Sequence, residues 1–178
     1  MKWVKQNSEV LYPNEGDILG IAKSDIVDLL QVASENDRQR ARYCAHGSIE
    51  DAVHEMFIYH RKGAYIRPHK HLGKAESFHL IEGEAYVVFF DEKGNIVNVL
   101  SLGSYESGKT FYYRLPGSVY HTQIFSEDTV FHETTRGPLE KQNTIFPEWA
   151  PPEEEDALVC EYVKKLKLQL QSKYSEPR

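Results

Sequence analysis

Three histidines and one glutamate form a pattern typical of a metal site in this chain of 178 residues. His69 and His71 are separated by one residue, Glu76 follows five positions after His71, and His121 follows a Pro116-Gly117 turn. Imidazole and carboxylate donors together suit Fe, Mn, Ni or Zn as divalent ions, and such ligand sets commonly leave coordination positions open for water or substrate. The pattern therefore predicts one divalent metal ion, and it is the strongest indication of function in the sequence.

The chain around these residues is expected to be extended. A residue before proline is disfavoured in helices, so Arg67-Pro68 favours β structure and places the side chains at 69 and 71 on one face. The loop at 72–75 then allows the chain to turn and start a new strand at Glu76. Alternation along that strand would put Phe78 and Leu80 on the same face as the carboxylate, and His79 on the opposite face.

Short β segments without helical patterns between them occupy residues 52–136. Clusters of β-branched and aromatic residues between turn sequences predict strands at Val53–His60, Ile81–Phe90, Ile96–Leu100, Phe111–Leu115, Val119–Phe125 and Thr129–Thr135. Such an arrangement indicates an all-β core, an antiparallel sandwich or barrel. We divide the chain into an N-terminal arm, helix and arginine-rich segment (1–51), a barrel (52–150) and a C-terminal helix (151–178).

The two ends of the chain are expected to add a hairpin and two helices. Trp3-Val4 and Val10–Tyr12 would form the hairpin, and Pro13–Gly16 a turn after it. Ser24 is the expected N-cap of the first helix, and the second follows Pro151-Pro152. Apolar extensions of this kind often pack across a two-fold axis, so we expect a homodimer.

The composition argues against several classes of function. A net charge of -6 with 40% hydrophobic and 27% charged residues indicates a globular protein without the basic surface that nucleic acids or anionic membranes require. The sequence contains no apolar run long enough to cross a bilayer and no secretory signal, so a cytoplasmic location is expected. Cys44 and Cys160 lack paired spacing, and both are expected to be buried.

The histidine and glutamate pattern resembles the first conserved motif of the cupin superfamily, and His121 after Pro116 resembles the second. Members of that superfamily are small jelly-roll barrels, also called double-stranded β-helices, which hold a metal on three histidines and a glutamate. The resemblance implies that fold for residues 52–150 and a ligand role for the four residues named above. Ser118 stands where a glycine is usual and Phe125 where an asparagine is usual, which affects the expected turn geometry rather than the ligands.

A narrower resemblance, to the WbuC family of cupin-fold metalloproteins, covers most of the chain. The segments that carry it are 40–46, 65–71, 74–78, 120–122 and 146–151, with Glu133 ahead of Gly137-Pro138. That family is associated with bacterial surface-polysaccharide gene clusters, and its reaction is not established. The resemblance therefore implies a fold and a metal more directly than a reaction.

Cationic residues near the proposed ligands are candidates for substrate binding. Arg40, Arg42 and His46 could fold over the mouth of the barrel and bind an anionic ligand such as a nucleotide sugar, because guanidinium groups match phosphate geometry. The alternative is a solvated basic segment or structural salt bridges. Arg67 and Lys74 lie close to the ligands in sequence and would make the entrance locally positive.

Glu133 and Tyr120 are the candidates for moving a proton. Glu133 and the adjacent His132 cannot both face the cavity, because side chains alternate along a strand. His54 and His60, at the ends of the first long strand, are expected at the surface.

Several functions fit these features. The leading one is a metal-dependent enzyme that isomerises or epimerises a small, polar, carbohydrate-derived metabolite, with the ion acting as a Lewis acid. Ferrous iron at the same ligands could instead activate dioxygen. Outside catalysis, the chain could be a ligand-binding or sensory protein, or its metal could only brace the fold. In the first three cases the partner is a small molecule rather than a nucleic acid or a membrane.

Overall fold

Short strands make up most of the regular secondary structure, with one helix near each end of the chain. The computed structural model describes residues 3–14 and 18–174. Within these ranges the strands are β1 (Trp3–Lys5), β2 (Val10–Pro13), β3 (Arg40–Cys44), β4 (Val53–His60), β5 (Lys70–His71), β6 (Glu76–Glu82), β7 (Glu84–Phe90), β8 (Ile96–Gly103), β9 (Tyr112–Leu115), β10 (Tyr120–Phe125), β11 (Thr129–Arg136) and β12 (Thr144–Ile145). The helices are α1 (Lys23–Ser34) and α2 (Asp156–Tyr174).

The strands form two principal sheets in a sandwich-like arrangement. The larger sheet has the order β1-β2-β3-β4-β11-β6-β9, the smaller has the order β10-β7-β8, and β12 pairs with β5. All of these pairings are antiparallel except that between β2 and β3. Consecutive strands β10 and β11 lie in different sheets, so the chain crosses from one sheet to the other between them.

The sheets do not close into the barrel expected from the sequence. A closed barrel would need continuous ladders of hydrogen bonds between the two sheets. Among the described residues, isolated bridges take their place, and they join Tyr65 with Ile124, His69 with His121, and Leu102 with Thr110. The extended segment that carries the first two bridges contains Pro68, which has no N–H to donate to a ladder. The two sheets are therefore joined at this side by single bridges rather than by a ladder.

Gly83 divides the strand that the sequence predicted over Ile81–Phe90. Its φ is +89°, in a region that glycine adopts readily, and a Cβ atom there would lie 2.2 Å from the Asp128 carbonyl oxygen. The chain turns at this point, so β6 belongs to the large sheet and β7 to the small one. This break is not evident from the sequence, because a single glycine within a strand pattern commonly marks a bulge.

Alternating side chains give the large sheet an inner and an outer face. The inner face, which includes Ile58, Phe78 and Phe131, packs with residues of the small sheet such as Val87 and Phe89 in the main core. The outer face packs against α1 in a second core made of Leu11, Leu29, Ala33, Ala41, Tyr43, Tyr59 and Val130. The interior between the two sheets is therefore reached by every second residue of each strand.

The ends of the chain differ from the sequence expectation in two details, the N-cap of α1 and the exposure of Cys160. Ala22, rather than Ser24, occupies the N-cap of α1, and its N–H donates to Asp25 Oδ2 at 2.6 Å. Glu15 and Gly16, part of the turn expected after the hairpin, lie outside the described residues. Cys44 is buried as expected, whereas Cys160 is exposed.

The exposure of Cys160 follows from its place on α2. Leu166 and Leu170 are the buried residues of this helix, and they pack on the small sheet with Val88, Phe90, Tyr120 and Ile124. Cys160 lies six residues before Leu166, which rotates it by roughly 120° from the packed face at about 100° per residue. Within the described residues no helix combines the length and the apolar character needed to cross a membrane.

Two glycines provide a matched test of this architecture. Gly63 and Gly83 both have positive φ, but a Cβ at Gly63 would meet nothing within 4 Å, whereas one at Gly83 would collide with backbone. Gly63→Ala should therefore cost about 1–2 kcal/mol of unfolding free energy from the left-handed conformation alone. Gly83→Ala should cost about 3 kcal/mol or more, because the chain must also move. Equal losses in urea denaturation would contradict the crossing at Gly83.

Candidate metal centre

A cavity of about 170 Å³ lies between the inner faces of the two sheets. Its walls come from residues of β3, β4, β6, β10 and β11, from the extended segment before and within β5, and from Glu9 just before β2. The lining residues are Glu9, Arg40, Ala41, Arg42, Ile58, His60, Ile66, His69, His71, Glu76, His121, Gln123, Phe125, Phe131 and Glu133. The four metal-ligand candidates are all among them.

His69 and His121 are held opposite each other by a pair of backbone hydrogen bonds. The His69 N–H donates to the His121 carbonyl at 3.0 Å, and the His121 N–H donates to the His69 carbonyl at 2.9 Å. This reciprocal bridge places the two ring centroids 4.6 Å apart. His71, on β5, is positioned separately by its pairing with Thr144, and its ring lies 4.9 Å from that of His69.

Each of the three imidazoles uses Nδ1 for a contact with the protein. His69 and His121 each donate from Nδ1 to the backbone carbonyl two residues earlier, at 2.9 and 3.0 Å. His71 Nδ1 lies 3.1 Å from Thr144 Oγ1. A carbonyl can only accept, so in a neutral ring the lone pair of His69 and of His121 is on Nε2. This tautomer is the one that a metal-binding histidine needs.

Glu76 lies against two of these imidazoles. Its Oε1 is 2.8 Å from His121 Nε2, and its Oε2 is 3.4 Å from His71 Nε2. Two donors that each lie about 2.0–2.2 Å from one ion are roughly 3–3.5 Å apart in octahedral or tetrahedral geometry. The separations around Glu76 are close to that range, and its side chain is buried.

The three imidazoles and the Glu76 carboxylate lie close together, but their donor atoms do not surround a common point. In residues 3–14 and 18–174, no group of three or more His, Cys, Asp or Glu side chains has the geometry of a complete metal site. His121 Nε2 is nevertheless buried without a hydrogen-bond partner in this part of the chain, because its approach to Glu76 lacks hydrogen-bond geometry. An unsatisfied buried imidazole nitrogen is a feature that a bound cation would explain.

Burial and mutual contacts set the charges in the cluster. Burial, with the neighbouring His121, lowers the pKa of His69 to about 3. Burial raises the pKa of Glu76, but its contacts with His121 and His71 outweigh that effect and leave the pKa below its usual range. Burial also acts on His121, where it lowers the pKa. The adjacent Glu76 carboxylate outweighs this effect, so the pKa of His121 is raised above its usual value. Glu76 is therefore ionised and supplies the negative charge of the cluster.

Glu133, rather than His132, faces the cavity. His132 turns to the outer face of β11, where its ring centroid lies 4.7 Å from that of Phe57. Burial, followed by the nearby charge of Glu76, raises the pKa of Glu133 to about 7. The Glu133 carboxyl can therefore hold or release a proton close to neutral pH.

The two candidate arginines on β3 both line the cavity but differ in their partners. Arg40 Nε donates to Glu9 Oε2 at 2.9 Å, and Arg40 Nη1 lies 3.8 Å from Glu153 Oε1. Arg42 Nη1 lies 3.9 Å from Met56 Sδ. Arg40 thus takes part in the structural salt bridges that were the alternative to substrate binding.

Four other residues proposed from the sequence lie outside this cavity. Arg67 donates from Nε to the Ala150 carbonyl at 3.1 Å, which holds the segment before α2 against the sheet. Lys74 borders a separate surface depression, and Tyr120 packs on the side of the small sheet that faces α2. His46 is buried against His54.

His54 and His60 are buried, contrary to the expectation that both lie at the surface. His46 stacks on His54 with ring centroids 4.1 Å apart. His60 stacks on Phe125 and Phe131, at 4.8 and 5.7 Å, and lines the cavity. The polar ends of β4 are enclosed because strands β3 and β11 pair with β4 on both sides, which the sequence of β4 alone does not reveal.

The turn before His121 forms despite its unusual residue. Ser118, where cupins usually have glycine, has φ of +73°, and its N–H donates to the His71 carbonyl at 2.7 Å. Gln123 and Glu9 also line the cavity, although neither was predicted from the sequence. Alternation from His121 could have identified Gln123, whereas Glu9 reaches Arg40 only through the parallel pairing of β2 with β3.

Comparisons with known proteins identify the fold. Residues 21–102 match a family model described as a domain of unknown function, DUF6016. No curated protein matches the chain. Two solved structures are similar over most of it. A mutant of salicylate 1,2-dioxygenase from Pseudoaminobacter salicylatoxidans, in complex with gentisate, is 12% identical with a TM-score of 0.54, covering 72% of this chain and 37% of that chain. CapF with the inhibitor 3-isopropenyl-tropolone is 14% identical with a TM-score of 0.50, covering 61% and 31%.

These likenesses show the fold alone. Both solved proteins contain the cupin fold, and the described part of this chain has it too. The chain spans about a third of the length of these two proteins, 37% and 31% respectively.

Glu133 should give the metal-free protein a distinctive pH dependence. A folded pKa near 7, against 4.5 for an unperturbed glutamate, means that the folded state binds the extra proton between these values. Stability should therefore fall as pH rises from about 4.5 to 7, by ~3 kcal/mol from this group. Glu133→Gln should remove that fall, whereas the exposed Glu82→Gln should keep it. Identical pH profiles for wild type and Glu133→Gln in denaturant titrations would contradict the assignment.

Proposed function

We propose that this chain is a metal-dependent cupin enzyme acting on a small, polar, carbohydrate-derived metabolite. In this proposal His69, His71, Glu76 and His121 hold one divalent ion, of Fe, Mn, Ni or Zn. The observation that carries the proposal is the orientation of the donors. Each imidazole has its Nδ1 engaged with the protein, and the buried Glu76 carboxylate lies beside two of the three Nε2 atoms.

The proposed reaction is an isomerisation or epimerisation, in which a proton leaves one carbon of the substrate and returns to it or to a neighbouring one. When bound, the ion would supply Lewis-acid polarisation of a carbonyl or enediol oxygen. Glu133 is the proposed proton carrier, because its carboxylate lines the cavity and titrates near neutral pH. Ile58, Phe125 and Phe131 would limit the access of water to the substrate.

A role in bacterial surface-polysaccharide synthesis is part of the proposal. Its support is the sequence resemblance to the WbuC family in the segments around Arg67 to Phe78 and in 146–151. CapF is a capsular polysaccharide assembling protein.

Homodimer formation stays a prediction. Leu158 and Leu168 on α2 are exposed apolar side chains that a partner chain would cover.

Metal content tests the proposed ligands directly. Wild-type protein loaded separately with Fe, Mn, Ni and Zn, and then freed of unbound ions, should retain about one ion per chain for at least one of these metals. The double variant His69→Ala/His71→Ala should lose more than tenfold of this content, because it removes two of the four donors. Elemental analysis of the purified proteins measures the outcome.

His79→Ala is the matched control for this experiment. His79 lies in β6, three residues from Glu76, but is exposed on the outer face of the sheet. Its replacement should leave the metal content unchanged. Circular dichroism should show that both variants are folded. Full retention of metal by the double variant, or no retention of any of the four metals by the wild type, would contradict the proposed centre.

A further inference from the structure

Arg42 forms no ion pair with any of the residues that the structure describes. The hydrogen bond of its guanidinium group goes to Met56 Sδ at 3.9 Å. A thioether sulfur is a weak acceptor, and a guanidinium group has five N–H donors. Arg40, two residues earlier on the same face of β3, has carboxylate partners in Glu9 and Glu153. Of the two arginines in the cavity wall, one is paired and the other is not.

An unpaired guanidinium in this position indicates an anionic ligand. Arg42 is partly buried and lines the same cavity as the four metal-ligand candidates. Removing a charge from water is unfavourable unless an opposite charge and hydrogen-bond acceptors replace the lost hydration. A carboxylate provides both, because its two oxygens match the guanidinium group in a bidentate arrangement. Glu133 lines the cavity as well, and the charge of Arg42 favours its ionised form, but the two side chains are not in ion-pair contact among the described residues.

The size of the cavity limits what that anion can be. Its volume is about 170 Å³, and it is partly open to solvent. Pockets that enclose drug-sized ligands have volumes of about 300–1,000 Å³. A nucleotide sugar therefore exceeds this volume, whereas a small hydroxy acid fits within it.

We propose that Arg42 binds the carboxylate of a small hydroxy acid, whose remaining oxygens face the cluster of His69, His71, Glu76 and His121. This inference rests on the proposed function in taking the cavity as the substrate site. It narrows the substrate class from carbohydrate-derived metabolites in general to small sugar-acid-like anions. Arg42 is then the residue that selects for a negative charge, and Arg40 is a structural neighbour.

Calorimetric titration of metal-loaded protein tests the proposal. The probes are D-glycerate, L-lactate and L-malate as small acids, glycerol as the uncharged analogue of glycerate, and UDP-glucose as a nucleotide sugar. At least one small acid should bind saturably, and glycerol and UDP-glucose should not. Arg42→Met should weaken binding of that acid about 10- to 100-fold, since a charge-assisted pair is lost. Arg42→Lys should fall between, because it keeps the charge without the bidentate geometry.

Arg114→Met is the control, because Arg114 is exposed on β9 at the outer edge of the same sheet. It should leave the affinity unchanged. A thermal melt separates binding from folding. Without ligand, Arg42→Met should unfold at the wild-type temperature or higher, because an unbalanced, partly buried charge is removed. An arginine with a structural role would lower that temperature.

The outcomes distinguish this inference from the proposed metal centre. Normal metal content with acid binding that Arg42→Met does not weaken would overturn the role of Arg42 and leave the metal centre standing. Saturable binding of UDP-glucose, or of none of the small acids, would overturn the substrate class. If the wild type holds no metal, the proposed function fails. The anion site would still be supported if the metal-free Arg42→Met variant bound the acid more weakly than the metal-free wild type.

Discussion

The buried carboxylate of Glu76 is the constraint around which the interior is organised. An ionised carboxylate removed from water is costly unless positive charge or several donors surround it. Here two imidazole nitrogens lie within 2.8 and 3.4 Å of its oxygens. The rings of His121 and His71 are in turn fixed through Nδ1 by contacts with the chain. A cation among these groups would balance Glu76 more completely than neutral imidazoles can.

The sandwich places this cluster where opposite charges can share one cavity without neutralising each other. Inward-facing residues of adjacent strands run from Glu76 on β6 through Glu133 on β11 to Arg42 on β3. Glu76 and Glu133 thus lie toward one end of the row and the guanidinium group of Arg42 toward the other, where the remaining carboxylate, Glu9, pairs with Arg40. Natural proteins accept such unfavourable buried polar groups mainly at functional sites. The polar row is therefore better explained by a ligand than by stability.

The sequence predicted most of what depends on local pattern. Five of the six proposed strands are present with ends that differ by at most three residues. The four candidate ligands line one cavity, and strand alternation accounts for the shared face of His69 and His71. Features that depend on tertiary pairing were not predictable. The inward direction of Glu133, the burial of His60 and the partner of Arg40 follow from which strands lie side by side. The break at Gly83 depends on the approach of Asp128, 45 residues away in sequence.

The most direct test of this account is X-ray absorption spectroscopy of the metal-loaded protein, with His69→Ala, Glu76→Gln and His79→Ala measured beside it. The account predicts three imidazole nitrogens and one carboxylate oxygen at about 2.0–2.2 Å from the ion, with water or ligand at any remaining position. His69→Ala should lose one imidazole and His79→Ala none. A spectrum with fewer than two imidazoles, or one unchanged in His69→Ala, would contradict the account.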